Sequence, residues 1–410
     1  MVGALSPAGG ERKRAAIALG ARCNRIRRAA TLYPPRPKAA RCVSVVRLAQ
    51  VDRGFGLEAT LEDLAERKVP GLSAVLVKRG EAGEFKSAGV SDLTLGTPAT
   101  SDTVFLWFSM TKIVTATAVM QLVERRALGL DDPVRRFLPG FPRARAGWPE
   151  VLVRHLLSHS AGLANPIPLR WVHLADQPGR DPREFAQDLL ERHSRLRFAA
   201  GSRAVYSNLG YIALGEVIAA AAGQRYEDYV HSEILAPLSM SRTGFAYPGE
   251  AHGEVATGYQ ARLSPLTPVF RLMLPKGIVG ANQGRFVAFN RLYVDGPAYG
   301  GLVGSARDAA RFMAAHLNEG QLDGVRLLTP ESVAAMQQIQ ASGRKLDVGF
   351  GWFRRGADRA HTDQLEHLGG GGGFWNMMRI YPARGLGVLT MGNATSYDHQ
   401  RVAQAAIRNG

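Results

Sequence analysis

The chain has 410 residues, of which 46% are hydrophobic and 21% charged, with a formal net charge of +16. That length buries a large core, in one domain or two interleaved ones, and no stretch approaches the roughly 18–20 apolar residues that cross a bilayer. The charge is not a nucleic-acid signal. Residues 1–50 hold eleven Arg/Lys and one acid, Glu11, so the other 360 residues carry only +6, with no basic stripe interleaved with aromatics.

The first fifty residues read as a disordered, basic extension, with Arg25-Ile26-Arg27-Arg28 and Tyr33-Pro34-Pro35-Arg36-Pro37 as its most biased runs. Three uses compete for it: a flexible or wrongly assigned extension, an Arg-rich targeting peptide, or a contact arm for anionic partners. No uninterrupted apolar core follows the charges, which disfavours a secretory signal. Both cysteines, Cys23 and Cys42, lie here. The body therefore has no disulfide framework, which fits a reducing, cytoplasmic setting.

The body begins near Leu57. Leu57 to Arg67 has helical spacing and stops at Val69-Pro70-Gly71. Ser73 to Lys78 and Phe85 to Val90 read as strands joined by a turn. A helix carrying Ser109 runs to about Leu128. Val153 to about Leu238 is helical in pattern, with an amphipathic helix at Pro182 to Arg192 and another at Leu209 to Ala222, stopped by Gly223. Residues 252–296 have poor periodicity and read as a long excursion. Ser305 caps a helix to about Asn318. Strands return at Val348 to Phe353, Trp375 to Tyr381 and Leu386 to Met391, and Val402 to Arg408 closes the chain as a helix. Strands at both ends and helices between them predict an α+β fold, with one antiparallel sheet completed by both chain ends and a mostly helical domain inserted at about 130–300. The expected hydrolytic domain spans 57–395, followed by a C-terminal helical segment at 396–410. The helix carrying Ser109 would lie at the junction, where clefts form.

Three constellations carry chemistry. Ser109 and Lys112 stand three apart at the head of an apolar helix, so hydroxyl and amine share one face. Alone, the pair reads as a capping serine and a surface lysine. As a site, it needs a lysine whose pKa burial has lowered. Tyr206-Ser207-Asn208 precedes the Leu209 helix. It reads either as an ordinary loop with a helix cap or as a cleft tyrosine whose phenol ionises more readily beside a buried ammonium. His367-Leu368 precedes five glycines, 369–373, which reads as a flexible hairpin loop or as backbone opened to a ligand. Gly-x-Ser-x-Gly and Walker loops are absent. His155 and His159 are four apart without His-Glu-x-x-His, so no zinc site is expected.

The order Ser-x-x-Lys, Tyr-Ser-Asn, His-x-Gly resembles the serine β-lactamase and penicillin-binding-protein-like hydrolases, in the branch holding class C β-lactamases, D-alanyl-D-alanine peptidases and related carboxylesterases. Val69-Pro70-Gly71-Leu72, Thr103-Val104-Phe105, the segment from Arg154 to Leu163 and Gly300-Gly301-Leu302 extend the resemblance. It implies a β-lactamase/transpeptidase-like fold and an acyl-enzyme formed on Ser109, with Lys112 and Tyr206 sharing the proton work. The N–H groups of Ser109 and Gly370 would form the oxyanion hole, and Asn208, His367 and Gly369 would bind substrate. No metal or other cofactor is implied. The expected partner is a small ester, amide or peptide. Histidine replaces lysine at the third motif, which places esterase activity ahead of β-lactamase or D-alanyl-D-alanine peptidase activity. A non-catalytic binding protein on the same fold is the remaining alternative.

Overall fold

The computed structural model describes residues 56–248, 254–344, 346–355 and 364–408. All lie in the second of the two units into which the chain divides, Met1–Val51 and Asp52–Gly410. The basic extension assigned to residues 1–50 falls outside the described residues.

The organising element is a nine-stranded sheet running, in spatial order, Ala341–Ser342, Leu346–Val348, Phe353–Arg355, Leu365–Gly371, Phe374–Tyr381, Leu386–Gly392, Gly71–Lys78, Glu81–Asp92 and Thr97–Pro98. Every pairing is antiparallel, and the two ends of the chain meet where Gly71–Lys78 pairs with Leu386–Gly392, Val75 opposite Leu389. The predicted α+β architecture is what forms. Alternation decides the faces. Leu72 and Ala74 point to one core, with Leu61, Leu64, Val402 and Ala406 from the helices Leu57–Arg67 and His399–Arg408. Val75 and Val77 point to the other, with Phe312 and Met313 from the helix Ala306–Leu317. Successive side chains thus enter opposite cores, and with both faces covered these strands are buried almost continuously.

The helix Thr111–Glu124 packs on the second face with buried residues on all sides, as its unbroken apolar composition requires. Beside it lies Asn208–Ala222, capped by the Ser207 hydroxyl and stopped by left-handed Gly223.

Of the excursion read at 252–296, the described residues 254–296 are more ordered than their sequence indicates. Gly258–Ala261, Phe286–Phe289 and Val279–Gln283 form a three-stranded antiparallel sheet, crossed by the helix Leu266–Met273. Leu292–Val294 pairs with Val172–Leu174. These strands have five residues or fewer, and a register shift interrupts one pairing. Alternation over so short a span gives little signal. The glycine run also differs from a flexible loop: Leu365–Gly371 is a strand, and only Gly372 and Gly373 turn the chain.

Candidate active site

Ser109 sits in a single 3-10 turn, Phe108–Met110, and the α-helix proper begins at Thr111. The serine therefore leads the helix rather than riding on it. Phe108 has φ +48, a left-handed conformation that a bulky side chain adopts only when its surroundings impose it. Two straps impose it here. Trp107 N–H donates to Leu302 O at 2.8 Å, and Leu302 N–H donates to Thr111 Oγ1 at 3.2 Å. Asn376, fully buried on the strand Phe374–Tyr381, donates to Leu106 O at 2.9 Å.

Two polar groups converge on the serine. Lys112 Nζ lies 3.1 Å from Ser109 Oγ, and the Tyr206 hydroxyl donates to the same oxygen at 2.9 Å. Ser109 itself is only partly buried. Lys112 is fully buried. Its amine donates to Tyr299 O at 2.6 Å and lies 5.1, 5.6 and 5.2 Å from the ring centroids of Tyr206, Tyr211 and Tyr299. No described carboxylate pairs with it. Burial therefore holds its pKa well below the ordinary 10.5, because low dielectric penalises the charged form. The phenol of Tyr206 moves the other way. Burial raises it despite the bond to Ser109, which corrects the expectation that a neighbouring ammonium would ease its ionisation. Burial disfavours the Lys112 cation that the expectation needed. The cluster is a hydroxyl touched by an amine whose charged form burial disfavours and by a phenol that burial keeps protonated, and such an amine, once unprotonated, can accept a proton from serine.

The third motif lies against the same turn. A Cβ on Gly369 would come 2.0 Å from Trp107 O, and one on Gly371 would strike the Phe108 ring at 2.3 Å. Glycine at these two positions lets the strand lie against the serine's turn. Gly371 and Phe374 flank a two-residue turn and are directly paired. Such a closing pair is hydrogen-bonded, so the next pair, Gly370–Trp375, is not, and the N–H of Gly370 points away from that neighbour. The strand on the far side pairs only at Glu366, and Gly370 is exposed. Gly369 instead belongs to a hydrogen-bonded pair with Asn376 and is buried. Its placement packs the strand against the serine's turn.

His367 is 1% exposed, its Nδ1 lies 2.6 Å from Gly351 O, and its ring meets that of Phe353 edge-on at 4.6 Å and lies tilted 6.3 Å from that of Tyr206. A carbonyl can only accept, so Nδ1 carries the proton. The ring supports the site from within, and its burial argues against the expected contact with a substrate carboxylate. Asn208 begins the helix Asn208–Ala222, its N–H donates to Asn165 Oδ1 at 3.0 Å, and its own Oδ1 has no hydrogen-bond partner among the described residues.

His159 is a site residue that the motifs missed. It has φ +53 and is 3% exposed. Its ring lies 4.5 Å from that of Tyr206. Its carbonyl accepts from Val205 N–H at 2.9 Å, and its Nδ1 accepts from Ser207 N–H at 3.2 Å. Tyr206 is thus gripped on both sides by one residue. Burial, then the neighbouring Lys112 and His367, hold the imidazole well below its ordinary pKa, consistent with Nδ1 as an acceptor. His155 does separate work, accepting from Leu152 N–H at 3.1 Å to cap a short helix. The i, i+4 spacing of the pair was read only for zinc, and the described residues hold no group of three or more potential metal ligands. The informative signal was its place inside the segment Arg154–Leu163.

A separate cavity of about 460 Å³ lies elsewhere, between Phe137, Ile212, Glu216, Arg225 and Pro297, and Ser109 does not line it.

A serine approached by a buried lysine and a tyrosine, at the junction of an antiparallel sheet and a helical region, defines a serine hydrolase of the β-lactamase/transpeptidase type. The Beta-lactamase family profile matches residues 57–409, and the chain belongs to that family. Esterase EstB of Burkholderia gladioli is 32% identical over 368 residues, covering 82% of this chain and 88% of the relative. Penicillin-binding protein 4 of Amycolatopsis lactamdurans is 30% identical over 349 residues, covering 81% and 84%. The solved structure of the octameric penicillin-binding protein homologue from Pyrococcus abyssi superposes with a TM-score of 0.68 at 26% identity, covering 86% of this chain and 76% of that one.

Proposed function

We propose that the protein is a carboxylesterase that works through an acyl-enzyme on Ser109. The observation that carries this reading is the convergence of Lys112 and Tyr206 on one hydroxyl. As Ser109 Oγ bonds to the ester carbonyl carbon, its proton passes to the neutral amine of Lys112. The oxyanion is held by the N–H groups of Ser109 and Gly370, each such donor worth about 10²–10³ in rate. When the C–O bond breaks, Tyr206 gives its proton to the leaving alkoxide and is reprotonated from Lys112. Water then enters, gives a proton along the same route, and releases the carboxylic acid.

The preference for esters rests on the third motif. A lysine there would offer a permanent cation to a substrate carboxylate. Here the position holds a buried imidazole engaged with Gly351 O. The similarity to an esterase at 32% identity supports the same ranking. A second reading, amide or peptide hydrolysis, is favoured by one feature: Asn208 Oδ1 is an acceptor without a partner among the described residues, suited to a substrate N–H.

The test is a panel of p-nitrophenyl butyrate, a chromogenic cephalosporin and a D-amino-acid amide, run on wild type and Ser109→Ala. Turnover of the ester far above that of the cephalosporin is expected, and comparable rates overturn the ranking. Ser109→Ala is expected to abolish labelling by a fluorophosphonate probe, and labelling that survives places the nucleophile elsewhere.

A further inference from the structure

The region between Glu254 and Asp295 differs from the rest of the body. Over residues 255–294 the chain has no acid and five cations, Arg262, Arg271, Lys276, Arg285 and Arg291. All five are exposed, and none forms an ion pair with a described residue. Five of the nine large apolar side chains exposed among the described residues are here too: Leu263, Leu266, Val269, Leu272 and Met273, with Leu263 92% and Leu272 78% exposed.

The helix Leu266–Met273 explains the grouping. Thr267 and Phe270 are its buried residues, Phe270 resting 5.8 Å from the Phe289 ring. At 3.6 residues per turn, Leu266, Val269, Leu272 and Met273 share an arc of about 120° on the other side. Arg271 lies about 100° outside that arc, next to the buried Thr267, and Arg262 and Lys276 stand just beyond the two helix ends. Packing on the fold accounts for one apolar side chain of this helix, not for the outward four. An exposed apolar ridge with a cation beyond each end of its helix is the pattern of a helix that lies in a membrane interface, with Arg and Lys at the level of the headgroups.

We propose that the helix Leu266–Met273 docks the protein on an anionic phospholipid surface, with Leu263, Leu266, Val269, Leu272 and Met273 entering the acyl boundary. No helix of the described residues is long and apolar enough to cross a membrane, so this contact lies on the surface. Charge selects this occupant over the two nearest rivals. A second copy of the same face would set cations against cations. The segment 1–50 also carries the wrong sign, with eleven Arg/Lys and one acid.

The test is flotation of the full chain with vesicles of phosphatidylcholine alone and of phosphatidylcholine with phosphatidylglycerol. Wild type is expected to float with the anionic vesicles, less as salt rises. Leu266→Ser/Leu272→Ser, whose fold is checked by thermal unfolding, is expected to lower the partition coefficient by about tenfold or more. That variant keeps every charge of residues 1–50, so binding carried by the basic segment would persist in it at the wild-type level and overturn the proposal. Failure of wild type to float also overturns it. So does a wild-type dimer, seen by light scattering, that the variant converts to monomer without vesicle binding. Leu272→Trp gives a second readout on a folded chain: its emission is expected to be quenched by brominated anionic lipid, and an unquenched signal from vesicle-bound protein removes the helix from the contact.

Discussion

Two basic side chains are buried on opposite faces of the main sheet, and their surroundings differ in one respect. Arg379 is 3% exposed, and its Nε donates to Glu366 Oε2 at 3.0 Å, with Gln400 from the closing helix accepting a further bond at 2.9 Å. Burial works against the guanidinium, but Glu366 and then Tyr381 more than offset it and hold the Arg379 pKa above its ordinary value. Lys112 is equally buried, and among the described residues its amine bonds a carbonyl and a serine hydroxyl and lies near three tyrosine rings, with no carboxylate partner. Its charge is not compensated, and its pKa falls. The paired cation joins a strand to a helix. The unpaired one is a latent base, and latent bases with a nucleophile in reach mark functional sites.

The comparison breaks most sharply by replacing each cation with methionine. Lys112→Met is expected to lower kcat by about 10²–10⁴, while its Tm at pH 7 equals or exceeds that of wild type, because an apolar side chain replaces a buried amine without an acid partner. Arg379→Met breaks the buried pair with Glu366 and is expected to cost up to about 3–5 kcal/mol, with kcat unchanged where the protein stays folded. Denaturant unfolding and ester turnover of the two variants check this, and matching profiles in the two would erase the distinction.

The pH dependence sharpens it. Lys112 has a folded pKa well below its unfolded 10.5. Between the two values the unfolded chain binds the extra proton, so wild-type stability rises with pH across that window. Any advantage of Lys112→Met is greatest at or below the depressed folded value and shrinks as pH climbs toward about 10.4. Activity has the same sign: kcat/KM falls as pH drops through the folded pKa, because the amine protonates. Urea titrations and rate profiles over the same buffers test both, and a pH-independent stability difference rules out a neutral Lys112.

The positioning of Tyr206 is the next smaller effect. Asn tolerates the left-handed backbone of His159 and retains an acceptor, whereas Ala loses ring and acceptor together. His159→Ala is expected to lower kcat by about 10²-fold with KM little changed, as misplacement of a reacting group does, and His159→Asn is expected to recover part of the loss. Equal losses in the two variants, or a change confined to Tm, assign the residue to the fold alone.

These contrasts track what the sequence made legible. Ser109, Lys112 and Tyr206 are legible because each sits in a short local motif, and the strand Gly71–Lys78 because Ser73 to Lys78 is a short, largely apolar run that stops at the turn residues Arg79-Gly80. What stayed hidden is long-range or main-chain. The acceptor for Lys112 is a backbone carbonyl 187 residues away, and the grip of His159 on Ser207 spans 48. A backbone acceptor leaves no mark on residue type. The glycine run did signal a close approach, but only the fold shows that Gly369 meets Trp107 O while Gly370 faces the open edge. The three-stranded sheet around Phe286–Phe289 was missed for a related reason. Its Gly258 abuts Phe374 and Gly373 of the main sheet, so tertiary contact sets its register more than alternation does.

The smallest expected effect distinguishes the two substrate readings. Asn208 Oδ1 is buried without a partner among the described residues. A neutral hydrogen bond is worth about 0.5–1.5 kcal/mol net, so a substrate N–H that completes this acceptor gains up to roughly tenfold in kcat/KM, while an ester, having no N–H to offer, gains nothing. Asn208→Ala is therefore expected to lower kcat/KM for a D-amino-acid amide by about tenfold and to leave p-nitrophenyl butyrate within about twofold. Because Asn208 N–H bonds to Asn165 through the backbone, that anchor survives the substitution and the helix start is preserved. Equal losses on both substrates would mean that Asn208 shapes the cleft instead of reading the substrate.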